Sequence, residues 1–454
     1  METKNSTAKT ILKLAWPTML EHLMQTIVQY VDIIMVGALG TQATAAVGAT
    51  TTVNWLVFST VSAISIGFLS YIAKALGAKD IKRAQKASAQ AVFITLVSGV
   101  VFTALTLGLS KFVPLWMQVE KDIQGIASRY FFILYTPMLF RCATTIFSTV
   151  LRAAGDTKTP MKIGALVNLI NIILNFIFIY PTRTVLIFNK SLKILGLGLG
   201  VEGAALASAI AFLVGGVLTT VALYKHPVIS PKNETILPDK KILLPCLKVA
   251  LPNMLQRFAT SFGYVIFASM INSLGEVSTA AHTVANTVES LFYIPGYGMQ
   301  AAAATLAGNA VGEGNYEKLQ KLTKQFTVIE IILMIISGGL LFVSAPPIVS
   351  LFTQDEAVKL LGVTVLRMVA ISEPFFGVAI IIEGILQGMG KTMEPFIYNV
   401  IGMWGIRILG TFICTRFFSL GLVSAWGCMI GHNLFLCIMF FVFSRGKIVS
   451  NRNC

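Results

Sequence analysis

Charge is what this chain has least of, and its scarcity excludes the most. Only 12% of the 454 residues are Asp, Glu, Lys or Arg, and 55% are hydrophobic; an ordinary soluble domain is roughly a quarter charged. A water-soluble cytosolic enzyme is therefore ruled out. Cysteine is equally uninformative as a framework. The six cysteines (Cys142, Cys246, Cys414, Cys428, Cys437, Cys454) show no CxxC or Cys/His metal spacing, and they read as small helix-packing residues. The four histidines (His22, His226, His282, His432) are too scattered along the chain to hold a metal. No small-residue cleavage site follows the first apolar run, so that run reads as a retained span and not a signal peptide.

Phosphate-binding signals are incomplete as well. Gly388-Met389-Gly390-Lys391-Thr392 resembles the end of a phosphate loop, but Ile385 stands where that motif needs glycine. Gly196, Gly198 and Gly200 fall in an outside loop without the strand and helix of a dinucleotide site. ATP-driven chemistry is not expected, and no cofactor is implied. A membrane-embedded lipid transferase would need catalytic acids, histidines or metal ligands clustered at one membrane face, and no such cluster is visible.

What the chain has in abundance is apolar runs of about twenty residues, long enough to cross a hydrocarbon layer of ~30 Å. Twelve spans are expected. In the first half they are residues 14–38, 46–73, 91–109, 130–151, 162–180 and 201–223; in the second, 249–274, 284–306, 327–345, 363–386, 396–415 and 422–443. The net charge of +15 would suggest nucleic acid in a soluble protein. Here the Lys and Arg lie in the loops, about 23 flanking one side and about 9 the other, which excludes nucleic acid as a partner. By the positive-inside rule both termini are cytoplasmic, in a multi-pass cell-membrane protein. The longest cytoplasmic connection, with Pro227, Pro231, Pro238 and several lysines, divides the chain into residues 1–224, a linker 225–248, and residues 249–454.

The two parts repeat each other at a constant offset of 235 residues. Pro17 meets Pro252, Leu39-Gly40 meets Leu274-Gly275, Gly77 meets Gly312, and Leu151, Gly155, Thr157 and Pro160 meet Leu386, Gly390, Thr392 and Pro395. Each repeat carries six spans. The copies therefore enter the membrane in the same orientation, related by an axis along the membrane normal, and such pairs generally enclose a central cavity.

Polar residues inside spans are the functional candidates, because a carboxylate at a helix centre costs about 2.5 to 3.5 kcal/mol on insertion scales. Glu21, Gln25 and Asp32 fall close to one face of the first helix, and Asn168, Asn171 and Asn175 on one face of the fifth. Amides can meet a protonated acid or offer carbonyl oxygens to a cation. The second copy serves as an internal control: Phe267, Met403, Ile406 and Gly410 stand where the first has Asp32, Asn168, Asn171 and Asn175. The fold does not need polarity there, so the first half is read as holding the coupling site; the alternative is structural interhelical hydrogen bonding.

In the second half Gln256-Arg257 stands opposite Glu21-His22, Glu289 opposite Asn54, and Glu383 opposite Ser148. Glu289 is the better-placed acid, with an ion pair to Arg257 as its structural alternative. Glu373 and Glu383 are candidate partners for Arg367 or Arg407. Trp55, Tyr135, Phe262, Tyr293 and Met299 are candidates to line a cavity for flat amphipathic cations.

Several segments together resemble the multidrug and toxic compound extrusion (MATE) transporters. Val31-Asp32-Ile33-Ile34-Met35-Val36-Gly37 with Leu39-Gly40 is similar to that family's first-helix signature, and Leu151 to Pro160 (LRAAGDTKTP) to its loop after helix four. Gly200 to Ala205, Ala280-Ala281-His282 and Ile294-Pro295-Gly296 also match. The resemblance covers nearly all of the chain. It implies an all-α membrane protein of twelve transmembrane helices in two six-helix lobes, V-shaped around a central cavity. It further implies export of small, mainly cationic amphipathic compounds, coupled to inward proton or sodium movement, by a protein working as a monomer in the lipid bilayer. It maps a first-lobe cation or proton site onto Asp32, Asn171 and Asn175, with Ser208 where helix six often has Thr. Asn175 replaces an aspartate carried by many bacterial members, which favours a proton over a bare sodium ion at Asp32. A lipid-linked oligosaccharide flippase of the same superfamily is the alternative function, and it usually carries more basic residues in the cavity.

Overall fold

The computed structural model of the chain describes residues 4–117, 119–187 and 190–450; Cys454 lies outside them. A segment crossing lipid must satisfy its own backbone hydrogen bonds, so apolar runs of this length become helices. In the first half these are α1 (Lys4–Gly37), α2 (Thr41–Gly77), α3 (Ile81–Leu109), the short α4 (Phe112–Trp116), α5 (Lys121–Tyr135), α6 (Met138–Ala153), α7 (Lys158–Phe178) and α8 (Gly200–Lys225). In the second they are α9 (Lys240–Asn272), α10 (Glu276–Phe292), α11 (Ile294–Gly312), α12 (Tyr316–Phe352), α13 (Glu356–Gly388), α14 (Met393–Val400), α15 (Leu409–Arg416) and α16 (Leu422–Ser450). A π-helical turn, Ile401–Ile408, joins α14 to α15. α5 and α6 form one span bent by 50°, at Pro137, where proline removes a backbone donor.

Among the described residues these helices group into twelve segments that coincide with the twelve expected spans. Eight single helices, or nine spans if the bent pair is included, are long and apolar enough to be recognised by composition. The three that fall short are α1, α9 and the α10–α11 span. They carry Glu21, His22, Gln25 and Asp32; Asn253, Gln256 and Arg257; and His282 and Glu289. The spans least suited to lipid are therefore rich in polar candidates, although Asn168, Asn171 and Asn175 on α7, Ser208 on α8 and Glu383 on α13 lie on spans that remain apolar overall.

The 235-residue offset is reproduced in the helix ends. α2 spans Thr41–Gly77 and the α10–α11 span Glu276–Gly312; α5–α6 spans Lys121–Ala153 and α13 Glu356–Gly388. Gly40 and Gly275 both take positive φ, 112° and 102°, as do Gly155 and Gly390, 81° and 72°, a conformation that glycine adopts without strain. The copies also touch reciprocally. A Cβ on Gly77 would lie 2.1 Å from the Asn309 carbonyl oxygen, and one on Gly312 would lie 2.0 Å from that of Lys74. Lys74 and Asn309 are themselves 235 residues apart, so the contact is self-complementary, as at a two-fold axis.

One expectation needs correction. The connection after α7 was read as a loop without a strand, whereas Pro181–Ile187 (β1) pairs antiparallel with Lys190–Leu197 (β2). The β-branched and aliphatic content of Thr184-Val185-Leu186-Ile187 and Leu192-Lys193-Ile194-Leu195 suits a hairpin. Gly196 is required because a Cβ there would meet the Tyr180 carbonyl oxygen at 2.1 Å. That glycine serves close backbone approach and not a phosphate.

The chain forms two compact units. One comprises Leu20–Phe68 and Ile81–Leu244; the other comprises Pro245 onward together with the N-terminal part of α1 up to Met19 and the end of α2, Leu69–Asp80. The linker read as residues 225–248 is already helical from Lys240. Its turns are tied to α3 by Gln85, whose Nε2 donates to Val228 O at 3.0 Å, and by Gln90, which donates to Leu237 O and accepts from Asp239 N. In the second unit a core of Met299, Ala303, Phe326, Ile381, Ile385 and Phe440 joins α11, α12, α13 and α16. Large apolar side chains such as Val343, Leu351 and Leu360 are left exposed, as a lipid-facing belt requires.

Candidate functional site

In the first half, the face of α7 bearing amides lies against α1 and α8. The Asn171 and Asn175 side chains, one turn apart, follow from their i, i+4 spacing. Asn175 Nδ2 donates to Asp32 Oδ1 at 2.5 Å and to Asn171 Oδ1 at 3.1 Å, and Asn171 Nδ2 donates to Ser208 Oγ at 3.0 Å. The chain Ser208–Asn171–Asn175–Asp32 thus runs across three helices and ends on a carboxylate. Asn175 is fully buried and Asp32 half-buried. The Asn175 carbonyl oxygen and the Asn168 amide nitrogen are buried without a hydrogen-bond partner. An unfilled amide acceptor beside an acid is what a proton on Asp32 would need. Tyr180 Oη steadies the helix end by donating to Met35 O at 2.9 Å.

Glu21 does not share this site. Its Oε1 accepts from Arg152 at 2.6 Å, with both side chains largely buried, and its methylene lies against Gly164. Gln25, between Glu21 and Asp32 in the expected stripe, is exposed. The helical face was real, but α1 presents its acids to two different sets of neighbours.

The second half differs from expectation in several places. Arg257 does not pair with Glu289: its Nε donates to Asn253 Oδ1 on the same helix, at 3.1 Å. Glu289 is buried, 8% exposed, and among the described residues it forms no ion pair. Arg367 and Arg407 do not partner Glu373 or Glu383. Arg367 donates to Phe342 O, and Arg407 lies over the rings of Phe267 and Tyr264, 4.3 and 4.7 Å from their centroids, with Met429 Sδ at 3.0 Å. Met299, taken as a cavity-lining candidate, is fully buried in the core, as is Tyr135. Tyr135 Oη and Arg141 both donate to Asn54 Oδ1, at 2.6 and 2.9 Å. Tyr293 sits at the break between α10 and α11, edge-on to Tyr297 and Phe376. Trp55 and Phe262 are exposed, Phe262 tilted against Trp404.

One buried acid has no place among the sequence expectations. Glu330, in the middle of α12, is wholly buried with neither carboxylate oxygen hydrogen-bonded; it fills the space left by Gly296 and Gly377. A lone acid in an otherwise apolar run was the available signal. Glu383, expected to pair with an arginine, is met by amides instead: its Oε1 accepts from Gln256 Nε2 at 3.0 Å and Gln387 Nε2 at 3.1 Å, while its Oε2 lies 3.4 Å from Asn399 Nδ2.

The fold is a duplicated bundle of apolar helices, one copy of which carries an acid at the end of an amide chain. The chain belongs to the MatE family: that family's model matches residues 17–177 and again residues 252–413, two matches that start 235 residues apart. It is 28% identical over 437 residues to the "probable multidrug resistance protein NorM" of Thermotoga maritima, covering 96% of this chain and 92% of that one. It is 23% identical to mouse "multidrug and toxin extrusion protein 1", covering 93% and 72%. Among solved structures, an outward-facing multidrug resistance MATE transporter of the MOP superfamily superposes with a TM-score of 0.91 at 24% identity, covering 99% of this chain and 97% of the other. A MOP superfamily transporter from Pyrococcus furiosus, described as having a binding pocket of reversed polarity, gives 0.89 at the same identity. The twelve-helix, two-lobed fold is that of the MATE transporters.

Proposed function

We propose that this protein is a secondary active exporter of small amphipathic, mainly cationic organic compounds, driven by inward proton movement through alternating access. The observation that carries the reading is the Ser208–Asn171–Asn175–Asp32 chain. Its donors support the ionised acid, and the empty Asn175 oxygen can accept from the protonated one once the amide turns. Sodium is the less favoured driver, because Asp32 is the one carboxylate in that chain and hard cations gather several oxygen ligands. Multidrug resistance and extrusion names among the relatives support the substrate class. The excess of Lys and Arg on alternate loops supports a cell-membrane protein with both termini in the cytoplasm.

The test is expression in a pump-deficient bacterium, followed by dye efflux from right-side-out vesicles under an imposed pH gradient and then an imposed sodium gradient. Resistance to ethidium without altered lipid composition, and efflux driven by the pH gradient, are expected. Efflux driven by sodium alone would overturn the choice of ion. A change in lipid-linked sugars with no efflux would overturn export itself.

A further inference from the structure

We propose that Glu383, held by the side-chain amides of Gln256, Gln387 and Asn399, is a second proton-binding site, built in the half of the molecule that has no counterpart to Asp32. The proposal rests on the export reading above, and its test separates the two.

Four residues from three helices converge. Gln256 comes from α9, Gln387 stands one turn beyond Glu383 on α13, and Asn399 is on α14, where its Nδ2 also donates to Pro395 O at 2.9 Å. Gln256 is 7% exposed, Gln387 4% and Asn399 9%, while Glu383 itself is only partly buried. The amides are buried, and the acid is the most accessible of the four.

The atom that points to a ligand is Gln256 Oε1. It is buried and accepts no hydrogen bond, which is costly for a carbonyl oxygen unless it is used in another state. With Glu383 ionised, Gln256 lends its N–H. When Glu383 takes up a proton, a half-turn of the Gln256 amide replaces the N–H···O bond with an O–H···O bond into the vacant oxygen, while the Gln387 N–H stays in place. Glu383 is then hydrogen-bonded by the same three residues in either protonation state, and the proton is the only species gained. The charged and titratable groups that face Glu383 are Arg257 from α9 and Tyr297 from α11. Arg257 is directed to Asn253, and among the described residues Glu383 forms no ion pair.

The repeat shows what the same framework does without this chemistry. At the 235-residue offset, Gln256, Gln387, Asn399 and Glu383 correspond to Glu21, Arg152, Gly164 and Ser148. In the first half the acid is bonded to Arg152, a permanently charged partner. In the second half the acid has moved to α13, and the arginine position holds a neutral amide. A fixed ion pair has become an acid whose charge can change.

The experiment uses the full-length protein in liposomes, counting protons that enter per ethidium expelled. The wild type should give about two, and Glu383→Gln (fixed neutral) and Gln387→Arg (a first-half arginine, fixing the charge) about one each. Glu383→Asp should restore about two, which a merely structural role would not do, since packing defects slow transport without changing its stoichiometry. A ratio of one in the wild type overturns the proposal. So does an unchanged ratio in either Glu383→Gln or Gln387→Arg, or a loss of 22Na+ uptake in place of the proton. If Glu383→Gln is not recovered as a monodisperse protein, Glu383→Asp at two and Gln387→Arg at one remain the required pair. An Asp32→Asn protein that still moves two protons would remove Asp32 from the mechanism and leave Glu383 standing.

Discussion

The two halves of this transporter share several helix boundaries, turns and glycines, yet equivalent buried positions carry opposite chemistry. Between α1 and α6, Glu21 and Arg152 neutralise each other; between α9 and α13, two glutamines face a carboxylate. Below Asp32 the first half has a ladder of amides, where the second has Phe267, Met403, Ile406 and Gly410. Opposite Asn54, Met138 and Thr95 the second half buries Glu289, Glu373 and Glu330. Duplication fixed the backbone and left interior polarity free to diverge, so a residue's role can be judged by whether its counterpart keeps it.

The largest effect is expected from breaking the ion pair. Arg152→Met leaves Glu21 buried without its cation, a loss of about 3–5 kcal/mol, which should appear as a marked fall in the melting temperature of the detergent-solubilised protein. The equivalent Gln387→Met removes one amide bond to a charged acceptor, about 1.5–3 kcal/mol. If Gln387→Met were the more damaging, the contrast between fixed pair and caged acid would be wrong. The double variant Glu21→Gln/Arg152→Gln, which copies the second half, should unfold at a higher temperature than Arg152→Met, because no uncompensated charge remains.

Next in size is the reciprocal glycine contact. Gly77→Val and Gly312→Val each force a side chain against a backbone carbonyl, and overpacking of this kind costs about 1–3 kcal/mol or more. Thermal unfolding should show similar losses for the two, since the contact is self-complementary. A loss confined to one would mean that the halves do not meet symmetrically. Smallest is Asn171→Ala, which removes a neutral link between Ser208 and Asn175 for about 1 kcal/mol. Its melting temperature should barely change while ethidium efflux slows; an unaltered efflux rate would make the ladder structural.

Much of this was legible before the fold was known. Span count, the repeat and the amide face of α7 follow from apolar run length and helical period, which are local properties. The hairpin after α7 was missed because it lies in a connection where lipid imposes no pattern. Partner choice was also hidden: Glu21 and Asp32 share a helical face, but Glu21 meets Arg152 on α6 and Asp32 meets Asn175 on α7. Glu383 was undervalued because its bonding partners, Gln387 and Asn399, are neutral and attract no notice in a sequence. Glu330 was overlooked because a single acid barely lowers the hydropathy of a long apolar helix.

The central claim, that Asp32 changes its protonation during transport, is tested most directly by measuring ethidium-driven proton movement in proteoliposomes carrying Asp32→Asn. The account predicts that proton flux per ethidium falls by about half, with only the second-half contribution remaining. Coupling undiminished from the wild type would contradict it.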